Sequence, residues 1–196
     1  VFFDSHAGAA EAARQTAHAL AGAESPVASY NMSIFLCAAM PPLNTDAPGA
    51  VPGINAGCNG YGSRSLAARE ARELLRQRIW PVQTIAFGDL DALENAVKIN
   101  VVCALEVEPV QIDAGVIIPR DAYIRKAVDI CRRSNVLVIA DERRTGFGRP
   151  GRPLFCDHAG GAKPDMVLLG SALTGGMMAS SCLLLSESVW TRLDKF

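Results

Sequence analysis

Glu108, Asp141, Glu142 and Ser171 all follow apolar, strand-like runs: Val101–Val107, Val136–Ala140 and Met166–Gly170. Open α/β sheets bind ligands at the carboxyl ends of their strands. Brought together there, these residues would put carboxylates and a hydroxyl on one rim, a set suited to acid–base work or to holding a polar ligand. The same residue types also cap helices and accept loop hydrogen bonds, and spacing alone does not choose between the two readings. Arg143 and Arg144 come directly after the Asp141-Glu142 pair. Two adjacent guanidinium groups can bind an anion, or form a salt-bridged or partner-facing pair.

Other residues offer less chemistry. His158 sits in a Cys-Asp-His turn and His18 in an Ala-rich segment, and neither pairs with Cys or Ser in a nucleophile pattern. His158 reads as a local hydrogen-bonding group and His18 as an ordinary residue of that segment. The six cysteines are irregularly spaced, with no CxxC or Cys/His cluster to hold zinc. They read as small buried hydrophobes in a reducing compartment.

The elements that must position these residues follow from the pattern of the chain. Val1–Phe3 reads as the end of a strand, Ala7–Ala23 as a helix and Ser33–Met40 as an extended run. Residues 41–64, rich in Pro, Gly and Asn, predict a long loop. Residues 65–78 predict a charged amphipathic helix with a thin apolar stripe, either a solvated face or a docking surface. Further on, Val82–Phe87 predicts a strand and Asp89 the cap of a helix reaching Val97. Val101–Val107 predicts a buried parallel strand, and Asp121 the cap of a helix to Ser134. Val136–Ala140, Met166–Gly170 and Cys182–Leu185 predict three more strands, and a last helix begins near Glu187. Strand, crossover helix and strand make a βαβ unit, and the whole predicts one α/β domain with a largely parallel sheet flanked by helices.

Composition bounds the partners. The 196 residues suffice for one domain with a real core. A formal net charge of −1 provides no field toward nucleic acid or anionic lipid. No apolar stretch reaches the roughly 20 residues that a membrane helix needs. Arginine far outnumbers lysine; Lys98, Lys126, Lys163 and Lys195 are the only lysines.

Several ordered motifs carry a resemblance. EPVQIDAGV from Glu108 resembles EPIQGEAGV, and DERRTGFGR from Asp141 resembles DEVQTGFGR. Cys156-Asp157-His158, Lys163-Pro164-Asp165 and the run Leu168-Leu169-Gly170-Ser171-Ala172-Leu173-Thr174-Gly175-Gly176 follow in the same order. These are motifs of the class III, ornithine-aminotransferase-like branch of the pyridoxal-phosphate enzymes. The match runs from about Val82 to Leu185, with a weaker one over Val1–Ala17. It implies part of the large domain of a fold type I transferase. The family's N-terminal segment and small C-terminal domain lie outside this sequence, so exposed faces and strand edges are expected to be covered by other protein.

Carried over by the resemblance, Asp141 is the carboxylate that pairs with the pyridine nitrogen, keeping the ring an electron sink. Ser171 stands where the family has the lysine that binds the cofactor as a Schiff base, and a hydroxyl cannot form an imine. Serine cannot act as the general base for the proton shift either. Arg143 replaces a small apolar residue on one ring face, and Arg144 a glutamine near the ring hydroxyl. Leu36 falls where a stacking aromatic is expected. At the phosphate loop, Ser5 and His6 are vestigial contacts, with His6 in place of a glycine and Gly8 in place of a glutamate.

The resemblance thus implies no catalytic residue, a degenerate cofactor site at Asp141, Ser5, His6 and Arg144, no metal, and no cofactor unless the site still works with pyridoxal phosphate. The expected function is that of an inactive pseudoenzyme, a structural or accessory subunit of a larger complex. Its expected partners are subunits of that assembly or an aminotransferase-like homologue. Family members suggest mitochondria, and otherwise the cytoplasm. Two alternatives stand beside it: a class III aminotransferase active only with a partner subunit, and an anion-binding module.

Overall fold

The computed structural model describes residues 1–24, 34–39, 82–98, 102–112, 114–120, 122–158 and 160–194. The loop expected at 41–64 and the helix expected at 65–78 lie outside them. Strands β1 (Phe2–Phe3), β2 (Ile34–Ala39), β3 (Val82–Ala86), β4 (Val102–Val107), β5 (Leu137–Asp141), β6 (Met166–Leu169) and β7 (Ser181–Leu185) form one mixed sheet in the order β1-β7-β6-β5-β4-β2-β3. Pairing is parallel from β3 through β6 and antiparallel where β7 joins β6 and β1. The largely parallel α/β reading therefore holds.

Helices cover both faces. On one face, α2 (Leu90–Val97) and α3 (Tyr123–Arg133) pack on Leu105, Val107, Val138, Ala140, Val167 and Leu169. On the other, α1 (His6–Glu24) and α4 (Glu187–Leu193) pack on Ala104, Ile139, Met166, Leu168 and Leu183. The period of two along each strand explains the division, since odd and even positions face opposite layers. Within α1, Ala9, Ala13, Ala17 and Leu20 are buried. Their spacing of four, four and three puts them on one stripe, and the small side chains let the helix lie close to the sheet.

Local chemistry sets the helix ends. Asp89 caps α2, its side chain accepting from the Ala92 amide at 2.8 Å. Ser186 caps α4 through the Val189 amide at 3.4 Å. The start of α3 is different: Ala122 takes the cap position at φ 55° with no side-chain bond, so the helix opens after a left-handed residue instead of on the expected aspartate cap. Asp121 itself lies outside the described residues. Cys103, Cys131, Cys156 and Cys182 are buried in the interior and form no disulfide. Burial pushes Cys103 and Cys131 up to about 12, so both are small apolar residues in practice. Among the described residues, no helix is long and apolar enough to cross a membrane.

Candidate functional site

Asp141 is the last residue of β5 and is buried on the α1 face of the sheet. A carboxylate at that depth needs a cation or several donors. Arg143, two residues on, supplies the cation. Its Nε donates to Asp141 Oδ1 at 2.6 Å, its Nη2 donates to Oδ2, and its backbone N–H reaches Oδ1 at 3.2 Å. Burial works against the Arg143 charge, but the hydrogen bond to Asp141 and the charges of Asp141, Glu106 and Glu108 outweigh it and leave its pKa raised.

Two neighbours close in on this pair. His6, the first residue of α1, shares a short hydrogen bond between its Nδ1 and the hydroxyl of the buried Ser181 on β7. Desolvation, with Arg143 next, holds the His6 imidazole below its ordinary value, so it is neutral at pH 7. Gly170 lies between the two groups. A Cβ there would come within 3.0 Å of both the Arg143 carbonyl and the His6 Cε1. A side chain there would force the Arg143 backbone or the imidazole to give way.

Ser171 follows Gly170 and opens a short 3-10 turn, Ser171–Thr174, that ends on Gly175 at φ 64°. Thr174 anchors the turn, its hydroxyl donating to the Ser171 carbonyl at 3.1 Å and bonding the Ser180 hydroxyl at 3.1 Å. Asp141, Arg143, His6 and Gly170 thus come together at the end of β5, whereas the rim foreseen in the sequence joined Glu108, Asp141, Glu142 and Ser171.

Other predicted members have structural work. Glu142 is fully buried and accepts from the Thr145 hydroxyl at 2.8 Å, the Phe155 amide at 2.7 Å and the Cys156 amide at 2.9 Å. It ties the 143–156 loop to the sheet, so of its two sequence readings the loop acceptor is the one observed. Glu108 is buried, and its carbonyl accepts from Gln111 Nε2 at 3.2 Å inside the loop that follows β4. Ser5 Oγ accepts from the Gly8 amide at 3.2 Å, which is a helix-cap bond at the start of α1. Arg144 is exposed, although close enough for its charge to act on His6. Leu36 lies on β2 opposite Leu105 of β4.

Sequence reasoning missed Arg14 and Glu106. Glu106 is buried within β4, and Arg14 reaches it from α1 with Nε at 3.0 Å and Nη2 at 2.6 Å from the same oxygen, Oε2. The attraction of Glu106 raises the Arg14 pKa. A glutamate inside the apolar run Val101–Val107, with an arginine inside an alanine-rich helix, was the available signal. Charges of alternating sign, Arg14, Glu106, Arg143 and Asp141, therefore line the α1 face beside His6.

These residues do not fit pyridoxal phosphate, the cofactor implied by the resemblance. A guanidinium already spans the carboxylate that a ring nitrogen would need. An imidazole packs against Gly170, and Ser171, which the resemblance aligns with the anchoring lysine, carries only a hydroxyl.

The comparisons agree with the fold. A family model described as aminotransferase class-III matches residues 74–195. The ornithine aminotransferase of Plasmodium yoelii yoelii is 47% identical over 105 residues, which is 54% of this chain and 25% of that protein. The mitochondrial ornithine aminotransferase of Rattus norvegicus is 45% identical over 107 residues, 55% of this chain and 24% of that protein. The aligned part thus spans about a quarter of the length of these curated relatives. Among solved structures, the ornithine δ-aminotransferase of Plasmodium falciparum superimposes with a TM-score of 0.72 at 29% identity, covering 97% of this chain and 40% of that one. The ornithine aminotransferase of Toxoplasma gondii gives 0.74 at 28% identity, covering 97% and 42%. With the ordered motifs, the sheet and the family model in agreement over most of its length, the chain belongs to the class III aminotransferase family.

Proposed function

We propose that this chain is a pseudoenzyme of the class III aminotransferase family, kept as a structural or accessory subunit of a larger assembly. One observation carries the reading: the Asp141 carboxylate is spent on Arg143 in a site whose anchoring position is Ser171. Transamination needs an amine that forms and re-forms an imine and that moves a proton between two carbons. Neither Ser171 nor the neutral His6, hydrogen-bonded to Ser181, provides one. The core that remains is well packed on both faces, as a retained architectural piece would be. Its partners would be other subunits or an aminotransferase-like homologue. The mitochondrial names of the Drosophila melanogaster and Rattus norvegicus relatives favour a mitochondrial home.

The test is spectroscopic. Purified chain is mixed with pyridoxal phosphate, its visible spectrum is recorded, and an amino donor is then supplied. Free-aldehyde absorbance without turnover is expected. A stable aldimine band with turnover of the donor would end the reading.

A second reading keeps the enzyme: an aminotransferase active only when a partner subunit supplies the missing amine. The 47% identity over 105 residues to a protein named ornithine aminotransferase favours it. Co-expression with an intact homologue separates the two readings, because a completing subunit raises the homologue's activity and a structural one leaves kcat unchanged. The anion-binding reading is weaker, since Arg143, one of its two arginines, is engaged by Asp141.

A further inference from the structure

On the reading that this chain does without pyridoxal phosphate, we propose that Arg143 is the built-in tenant of a latent planar-cation site. Its guanidinium holds the Asp141 carboxylate in place of a ring cation, and the site would take up a small planar cation from solution once Arg143 is removed.

The pairing is that of a planar cation on a buried carboxylate. The guanidinium meets the carboxylate edge to edge through Nε and Nη2, one donor to each oxygen. A planar, delocalised cation with two parallel N–H groups suits a carboxylate far better than an ammonium does. The turn helps, because the Arg143 backbone N–H also reaches Oδ1. With only one residue between the partners, little chain entropy is lost in bringing them together.

Neighbours crowd the base of the Arg143 side chain. Arg143 Cβ lies 3.3 Å from the position a Gly170 Cβ would take, and His6 approaches the same point from α1. Glu106 and Glu108 add negative potential around the guanidinium, while Arg14 is engaged with Glu106. The surroundings are thus set for one positive charge at this point. Emptying the site would leave the Asp141 carboxylate buried without its cation, which is the condition under which an external ion binds.

A double-mutant cycle with chemical rescue tests this. Urea unfolding is measured for the parent, Arg143→Ala, Asp141→Ala and the double variant, without cofactor. Arg143→Ala is expected to lower the folding equilibrium constant about 100-fold or more, as broken buried pairs do. The double variant is expected to lose clearly less than the product of the two single losses. Millimolar methylguanidinium or acetamidinium should restore the melting temperature of Arg143→Ala saturably, and should not do so in the double variant. If Arg143→Ala does not fold, the same cycle with Arg143→Lys and Asp141→Asn reports the coupling. Losses that multiply without coupling, or equal stabilisation by tetramethylammonium, would overturn the proposal. Aldimine formation by the parent would instead overturn the pseudoenzyme reading and leaves the cycle intact, so the two failures are distinguishable.

Discussion

Arg14 donates twice to a single oxygen of Glu106, and the other oxygen, Oε1, is buried with no hydrogen-bond partner among the described residues. The pair fastens α1 to the middle of the sheet. It is half-satisfied, which is the costly state for a buried ion pair. Arg14→Ala should therefore cost about 3–5 kcal/mol, because it strands the glutamate. Arg14→Leu combined with Glu106→Leu should be close to neutral or stabilising. Equilibrium urea unfolding of the three proteins checks both, and a double variant weaker than Arg14→Ala would refute the account.

Glu142 is expected to act through the loop it anchors. Glu142→Ala removes the acceptor for the Phe155 and Cys156 amides and for the Thr145 hydroxyl. Each stranded buried donor costs about 1–3 kcal/mol. Hydrogen exchange should speed up first at Phe155 and Cys156 and leave the amides of β4 protected.

The depressed pKa of His6 gives a pH dependence with a definite sign. The unfolded chain takes up this proton near the ordinary value of 6.5, the folded chain only at lower pH. Neutral His6 thus contributes stability that is full above about pH 6.5 and lost as the pH falls toward and through the folded value. Replacing it, as in His6→Gln, should flatten this part of the stability–pH curve. A curve unchanged by the substitution would show that His6 does not contribute.

Supplying the amine alone should not restore catalysis. Ser171→Lys adds a nucleophile beside Gly170, while Arg143 still spans Asp141. Borohydride treatment with pyridoxal phosphate should trap a covalent adduct in this variant, with turnover of an amino donor absent. Substantial turnover would mean that Arg143 yields to the ring.

Gly146 is a purely steric case. A Cβ there would lie 2.8 Å from both the Glu142 carbonyl and Leu169 Cδ2. One of these is backbone and cannot move aside, so Gly146→Ala should cost about 1–3 kcal/mol, measured by thermal unfolding.

Over the described residues, the sequence by itself determined the strands and helices, and it determined the family. The largely apolar runs Val102–Val107 and Leu137–Asp141, buried at every position, the Asp89 cap and the ordered motifs are properties of neighbouring residues, readable without knowing what lies across the sheet. Ser171 was equally plain, because the absence of an amine is a matter of residue type. Only the tertiary structure decided which charges meet. Arg143 was legible as a residue that replaces an apolar one, but not as the partner that occupies Asp141. Arg14 and Glu106 are 92 positions apart and come together only when α1 lies on β4. Buried ion pairs of this kind depend on distance, burial and direction at once, and those three quantities are fixed by packing and not by any local pattern.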